Sequence, residues 1–272
     1  MSNLKIFCIS LTEKHLEKIK KINYIPVGLG NENFSKGWLR DNSGKNISKK
    51  NKYYGEYTFH YWLWKNNFMN IKDGCWIGFC TYRRFWSNKA QKTISENLKN
   101  SILQKVPEEW DGYNSVLVKP VLINKTKLSK VLKHGKKYLL KNPLIFFDKK
   151  KITIKVHFDM YHGHGNLDKA IDLLDIQNKE NFRKFVESEN AFNPYNMFLC
   201  KSQKILGEYY DSLFNWLSQC ETIFGFNMND DYGSVRIYGF LAERYLSYWF
   251  QKNSKSINWP IHFSDISNQK LN

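Results

Sequence analysis

Four short apolar runs bounded by turn residues constrain this chain most: residues 4–10, 75–82, 115–119 and 196–200. Continuous apolar character over so few residues marks strands covered on both faces. Helical periodicity fills the intervals. Residues 13–21 place Leu16 and Ile19 on one side, and residues 55–67 carry aromatic side chains nearly all round. Residues 126–140 read as a Lys-rich helix, and Asn166 is placed to cap a helix bearing Leu167, Ala170, Ile171 and Leu174. Residues 203–220 bury Leu206, Tyr209, Leu213, Trp216 and Leu217 along one face. In the last helix Val235, Tyr238, Ala242, Tyr245, Leu246, Trp249 and Phe250 keep the same spacing.

Strands alternating with helices predict an α/β fold with a mostly parallel central sheet flanked by helices. No Pro/Gly/Ser-rich linker interrupts the pattern, so the expectation is one domain over residues 1–272. Its core covers about residues 4–250, and its tail, 251–272, is loop or an appended strand after Trp259-Pro260.

Composition closes several routes. Lys and Arg number 42 against 25 Asp and Glu, a net charge of +17, which favours anionic partners without naming one. Only six of the cations are arginine: Arg40, Arg83, Arg84, Arg183, Arg236 and Arg244. Lys5 interrupts the apolar start and no small-residue cleavage site follows, so the sequence predicts a cytoplasmic protein. No apolar run is long enough to span a membrane. Five cysteines without Cys-x-x-Cys spacing argue against a disulfide framework and against structural zinc. Gly28-Leu29-Gly30 does not complete a dinucleotide fingerprint, because Asn33 stands where the third glycine belongs, and no Walker loop occurs.

The strongest local feature is Cys80-Thr81-Tyr82-Arg83-Arg84-Phe85. A third of the arginines sit here, at the C-terminal end of an apolar strand, where open α/β sheets bind ligands. Arginine is the residue for a bidentate grip on phosphate or carboxylate, and an ion pair at a strand end is the plainer alternative. The loop Asp41-Asn42-Ser43-Gly44-Lys45-Asn46-Ile47-Ser48 runs directly into the most aromatic helix and is either a solvent loop or a binding loop. Asp159, His162, His164 and Asp168 surround a His-Gly-His-Gly segment that reads equally as a turn, a metal pair or a substrate contact. Asn193-Pro194-Tyr195-Asn196 is a turn before a strand. Asp230 and Asp231 precede the final helix, where capping is the ordinary account. Within that helix Arg236 and Glu243 share a stripe, and Arg244 reads as a rim residue or a structural pairing partner.

Five segments together resemble one family: the loop DNSGKNIS, the helix YGEYTFHYWLWKN, the strand end GFCTYRRF, the turn NPYNMFL and the helix RIYGFLAER. In this order they are similar to the bacterial capsular and exopolysaccharide synthesis glycosyltransferase-like family, long catalogued as a domain of unknown function. Tyr61, Trp62, Trp64, Lys65 and Asn66 match its Tyr-Trp-x-Trp-Lys-Asn helix. Cys80, Tyr82, Arg83 and Arg84 match its Cys-His-Tyr-Arg-Arg strand end, with Thr81 in place of the histidine.

The resemblance implies a GT-A-like fold and transfer of a hexose, in some members a furanose, from a UDP-sugar donor. The acceptor it implies is a lipid-linked or oligosaccharide precursor of a capsular or cell-surface polysaccharide, and the protein would touch the anionic inner membrane peripherally. Tyr82, Arg83, Arg84 and Arg236 are then the candidates for the donor diphosphate. Asn46, Glu56, His162, Asn193, Tyr195 and Asn196 are candidates for substrate contacts, and Asp231, Glu243 and His164 for the base. GT-A enzymes commonly end a central strand in an acidic pair that holds a divalent metal. The corresponding strand here ends in Tyr-Arg-Arg, so no required cofactor is expected, and Mn or Mg is not favoured. The competing readings are a basic nucleic-acid-binding module and a non-catalytic scaffold of a capsule assembly complex. The aromatic residues fall at core helical spacings and no nucleic-acid-binding motif occurs, so no nucleic-acid partner is expected.

Overall fold

The computed structural model describes residues 4–67, 73–88, 97–123, 152–226 and 232–269. The chain begins with β1 (Leu4–Ser10), α1 (Leu16–Lys21), β2 (Ile25–Gly28) and β3 (Leu39–Arg40). Next come α2 (Asn51–Tyr54), α3 (Tyr57–Trp62), β4 (Trp76–Thr81), β5 (Arg84–Trp86), α4 (Leu98–Ser101), β6 (Ser115–Val118) and β7 (Val121–Leu122). Then follow α5 (Ile154–His162), α6 (Asn166–Ile171), α7 (Ile176–Ser188), β8 (Ala191–Phe192) and β9 (Phe198–Cys200). The last elements are α8 (Gln203–Phe224), α9 (Tyr232–Val235), α10 (Ile237–Asn253), β10 (Ser256–Trp259) and β11 (Ile261–Phe263). They group into two compact units: residues 1–119, 197–210 and 250–272, and residues 120–196 and 211–249.

The first unit holds the central sheet, ordered β10-β6-β9-β4-β1-β2-β3, with β5 on β4 and β11 on β5. β1 pairs in parallel with β2 and β4, β2 with β3, and β10 with β6, whereas β9 runs against both of its neighbours. The predicted α/β fold with a mostly parallel sheet is therefore the observed one. All four apolar runs became strands, because each is buried along nearly its whole length.

Aromatic residues fill the core of this unit. Phe7 lies 5.2 Å from Phe59 and 5.7 Å from Phe79, Phe79 lies 5.1 Å from Phe198, and Phe198 lies 5.0 Å from Phe250. Each such ring contributes about 1.5–3 kcal/mol on burial. The ring of aromatic positions around α3 has the same origin: Tyr57, Phe59, His60 and Trp62 are all buried. A π-helical turn, Leu63–Asn67, continues α3 and turns Asn66 back toward the preceding loop. Separately, Trp110 packs between Trp76 at 5.0 Å and Trp259 at 5.2 Å.

The second unit packs helices around Phe182, which lies 5.8 Å from Trp216, 5.3 Å from Tyr245 and 5.2 Å from Tyr248. β7 and β8 form a two-stranded sheet of their own. Two expectations need correction here. Asn166 is not the N-cap of α6; Gly165 occupies that position, and Asn166 donates its Nδ2 to the His162 carbonyl at 2.8 Å. The final helix is broken at Arg236 into α9 and α10. Of the two readings of Arg244, the rim position falls, because the residue is only 2% exposed, and the structural pairing partner stands, with Glu243. The Lys-rich segment 126–140 lies outside the described residues.

Candidate functional site

The parallel strands place their C-terminal ends on one edge of the sheet in the first unit. β1 ends in Ser10, β2 in Gly28, β3 in Arg40 and β4 in Thr81. The chain leaves β1 to build β2 and β3 on one side, then returns to build β4 on the other, which is the arrangement that opens a ligand crevice at the strand ends.

A cavity of about 460 Å3 lies at this edge, lined by residues 30–34, 40–42, 48 and 49. Phe34 reaches it by packing on Gly28, where an added Cβ would meet its ring at 2.7 Å. The Arg40 guanidinium stacks on Phe34 at 4.4 Å and donates to the Gly30 carbonyl at 2.9 Å. Asp41 is 2% exposed, and its Oδ2 has no hydrogen-bond partner among the described residues. Burial raises its carboxyl above the usual range, with the Thr58 hydroxyl and Arg40 opposing that rise. A buried carboxyl oxygen with an unmet need, in the wall of a cavity, is a receptor for an N–H or O–H donor.

The loop that carries Asp41 is fastened to the Tyr-Trp-x-Trp-Lys-Asn segment. Asn66 accepts from the Lys45 backbone N–H at 3.0 Å and donates to its carbonyl at 2.8 Å. Trp62 Nε1 donates to Ser43 Oγ at 3.1 Å. Gly44 has φ +54, and a Cβ there would sit 2.1 Å from Asn66 Oδ1, so the close approach requires glycine. Asn46 is exposed and closes an Asx-type turn within the loop, accepting from the Ser48 N–H at 3.2 Å and the Ser48 hydroxyl at 2.8 Å. Glu56 occupies the N-cap position of α3. Neither lines the cavity.

Beyond β4, Tyr82 and Arg83 form a turn into β5, which starts at Arg84. Arg83 is hydrogen-bonded to the Tyr82 hydroxyl, lies 4.6 Å over its ring and is 3.8 Å from Asp265. Two strand spacings separate the ends of β4 and β2, roughly 10 Å. The cation-bearing turn and the polar cavity thus lie along the same edge of the sheet. Tyr82, Arg83 and Arg84 are phenol and guanidinium groups, a donor set that binds phosphate directly and does not suit a divalent cation.

The remaining candidates belong to the second unit. Asn193, Tyr195 and Asn196 are fastened to one stripe of α10: Asn193 N donates to Ser247 Oγ at 2.7 Å, Tyr195 N to Glu243 Oε1 at 2.6 Å, and Asn196 Nδ2 to the Gly239 carbonyl at 3.4 Å. Tyr195 and Asn196 hold φ of 75 and 54, a left-handed pair of non-glycine residues that such fastening maintains. The other Glu243 oxygen accepts from Arg244. Arg244 also donates to His157 Nδ1 at 3.2 Å and lies 4.3 Å over Phe192. Burial, with the Arg244 charge beside it, pushes His157 down to about 3.

His162 and His164 turn to different partners. His162 is buried, stacks on Phe240 at 3.9 Å and is hydrogen-bonded with the Gly233 carbonyl at 3.1 Å; burial drives its pKa well down. His164 has a side chain 64% exposed and is hydrogen-bonded with Asp159 Oδ2 at 3.2 Å, an oxygen on a side chain only 1% exposed. Arg236 sits at the break before α10. Asp231 lies outside the described residues, and among those described no three His, Cys, Asp or Glu side chains gather as a metal site.

The sequence marks Asp41 only as the first residue of a solvent or binding loop, and it does not single out Phe34 or Arg40. Arg40 was the signal: it is one of only six arginines, and it directly precedes the aspartate at a strand end.

The fold is shared with the apo structure of WbbM, a bifunctional glycosyltransferase, at a TM-score of 0.64 and 21% identity. The match covers 100% of this chain and 46% of that one, so the chain spans about half the length of its structural neighbour. No curated protein matches the chain. A family model does match, over residues 5–254, and the chain belongs to that family, a domain of unknown function designated DUF4422.

Proposed function

We propose that this protein is a glycosyltransferase that takes a hexose from a UDP-sugar donor and passes it to a capsular or other cell-surface glycan acceptor. The observation that carries the reading is the polar cavity at the ends of β2 and β3, with Asp41 buried and partly unmet in its wall. It has the size of an ordinary small-molecule site. It would hold the donor's nucleoside, with the Asp41 carboxyl accepting from the base. Arg83 and Arg84 would hold the diphosphate and stabilise the charge that develops as it leaves, the electrostatic mode that supplies much of enzymatic rate enhancement. The shared fold supports the same reading.

An inverting transfer needs a base for the acceptor hydroxyl. Of the candidates described, Glu243 has both oxygens engaged in holding a backbone turn and a buried arginine. His164 has an exposed ring oriented by a buried carboxylate, the better arrangement for taking a proton. Peripheral docking on an anionic membrane remains part of the proposal, carried by the +17 charge. Among the described residues no helix is long and apolar enough to cross a membrane.

The test is calorimetric titration with UDP, UDP-glucose and UDP-galactose, followed by a transfer assay in excess EDTA. Arg83→Ala is expected to weaken UDP binding by about tenfold or more, the loss expected for a charged hydrogen bond. An absence of binding across the nucleotides, or an activity abolished by EDTA and restored by metal, would contradict the respective part of the proposal.

A further inference from the structure

Residues 261–268 lie beyond the segment matched by the family model, and they are pinned along the arginine turn. β11 pairs with β5, placing Phe263 opposite Arg84. Past β11, Ser264 N donates to the Arg83 carbonyl at 3.2 Å and Ile266 N to the Tyr82 carbonyl at 3.0 Å. Ser267 is held from the other side: its Oγ is hydrogen-bonded with His15 Nε2 at 2.8 Å, and its carbonyl accepts from Lys18 Nζ at 2.7 Å. Ile266, 1% exposed, anchors the strap.

Asp265 therefore rides on a fixed backbone. Its Oδ1 accepts from the Ser267 N–H at 2.9 Å, while Oδ2 faces Arg83 Nε at 3.8 Å. The Ser267 hydroxyl and N–H hold this carboxyl below the usual range, so it is charged at neutral pH. Of the other ionisable groups around the turn, Lys18 and Arg84 are cations, and His15 is pushed toward neutrality by burial.

We propose that Asp265 is a built-in competitor for Arg83: the strap carboxylate and a phosphate of the bound ligand are alternative partners of one guanidinium. The proposal rests on the reading of Arg83 as a phosphate ligand and adds what sets its affinity. A fixed anion beside the cation opposes each further negative charge brought to it. A nucleoside diphosphate carries one more negative charge than its sugar diester, so Asp265 opposes the product of transfer more than the donor. The strap would then favour release of the leaving group.

The experiment is titration of the full chain with inorganic pyrophosphate at low ionic strength. Asp265→Asn keeps the acceptor for Ser267 and removes the charge; Asp265→Ser does the same with a shorter side chain, should the first variant melt early. Either is expected to bind pyrophosphate about three- to fivefold tighter than the parent, the scale of one exposed charge pair. The gain fades at about 0.5 M salt. Arg83→Ala weakens binding, and adding Asp265→Asn to it restores nothing. Unchanged or weaker binding by the neutral variants, a gain indifferent to salt, or no pyrophosphate binding by any of the proteins overturns the proposal. Sugar transfer is assayed separately. A pyrophosphate site that behaves as expected in a protein that transfers no sugar leaves the strap standing and removes the transferase reading.

Discussion

Asn66 brackets the peptide unit of Lys45, accepting from its N–H and donating to its carbonyl with one side-chain amide. The same amide nitrogen also donates to the Trp62 carbonyl at 2.9 Å. One residue of the aromatic helix segment thus fixes the backbone of the loop that carries Asp41. Asn66→Ala should release this loop at a cost of about 0.5–1.5 kcal/mol, the net worth of an ordinary hydrogen bond, because the two bonds to Lys45 are exposed and water can replace them. Hydrogen exchange is the direct measurement: the Lys45 amide should lose its protection while the amides of β1 keep theirs.

Asp41→Asn should separate stability from binding. The carboxyl is raised by burial, so the folded protein holds its proton more tightly than the unfolded chain does. Its ionised form costs stability, and the cost grows as pH rises through the range between the unfolded and folded values, remaining in full above it. A neutral amide removes that cost, and the melting temperature at pH 7 should rise by about 2–4 °C per kcal/mol recovered. UDP affinity should fall in the same variant. A melting temperature that drops at pH 7 would show that Asp41 is stabilising as a carboxylate.

Glu243→Gln keeps an acceptor for the Tyr195 N–H but leaves Arg244 buried without its counter-charge. Breaking a buried pair from one side costs about 3–5 kcal/mol, whereas replacing both charges by apolar groups can be neutral. Glu243→Gln should therefore melt far below the parent, and adding Arg244→Met should recover a large part of the loss. Equal melting of the single and double variants would mean that the pair contributes nothing as a pair.

Acid should unfold this protein earlier than its carboxylates alone would dictate. Burial pushes both His60 and His157 down to about 3 in the folded state. Between the unfolded value, about 6.5, and the folded one, the unfolded chain binds the extra proton. Stability is then lost as pH falls below about 6.5, by about 1.4 kcal/mol per pH unit for each imidazole. His60→Phe should flatten that slope by one imidazole's share, read from denaturant midpoints at pH 4, 5 and 6.

The α/β class and the strand positions were legible because burial on both faces leaves a plain record in the sequence: residues 4–10 became β1 with the same ends. Residues 75–82 were legible for the same reason, and the arginines stood out against a lysine background. Asp41 was hard to see as a receptor, because the Thr58 hydroxyl set against its carboxyl belongs to α3, which arrives later in the chain. Glu243 and Arg244 misled differently. Helical spacing places a residue on a stripe, but whether a buried arginine finds a carboxylate and two aromatic rings depends on α5 and β8. The strap could not be anticipated, since nothing local in residues 261–268 specifies the partners that hold it.

Within the row β10-β6-β9-β4-β1-β2-β3, β9 runs against both of its neighbours, and this has a bearing on how the edge at the ends of β1 to β4 can vary. Every loop that follows a parallel strand departs from that edge. β9 is reversed between β4 and β6, so the chain arrives at the edge and only then enters the sheet. A segment coming in is held at its far end, and insertions before it leave the final approach unchanged. Outgoing loops can diversify the surface of the edge while the incoming one keeps a constant point of reference.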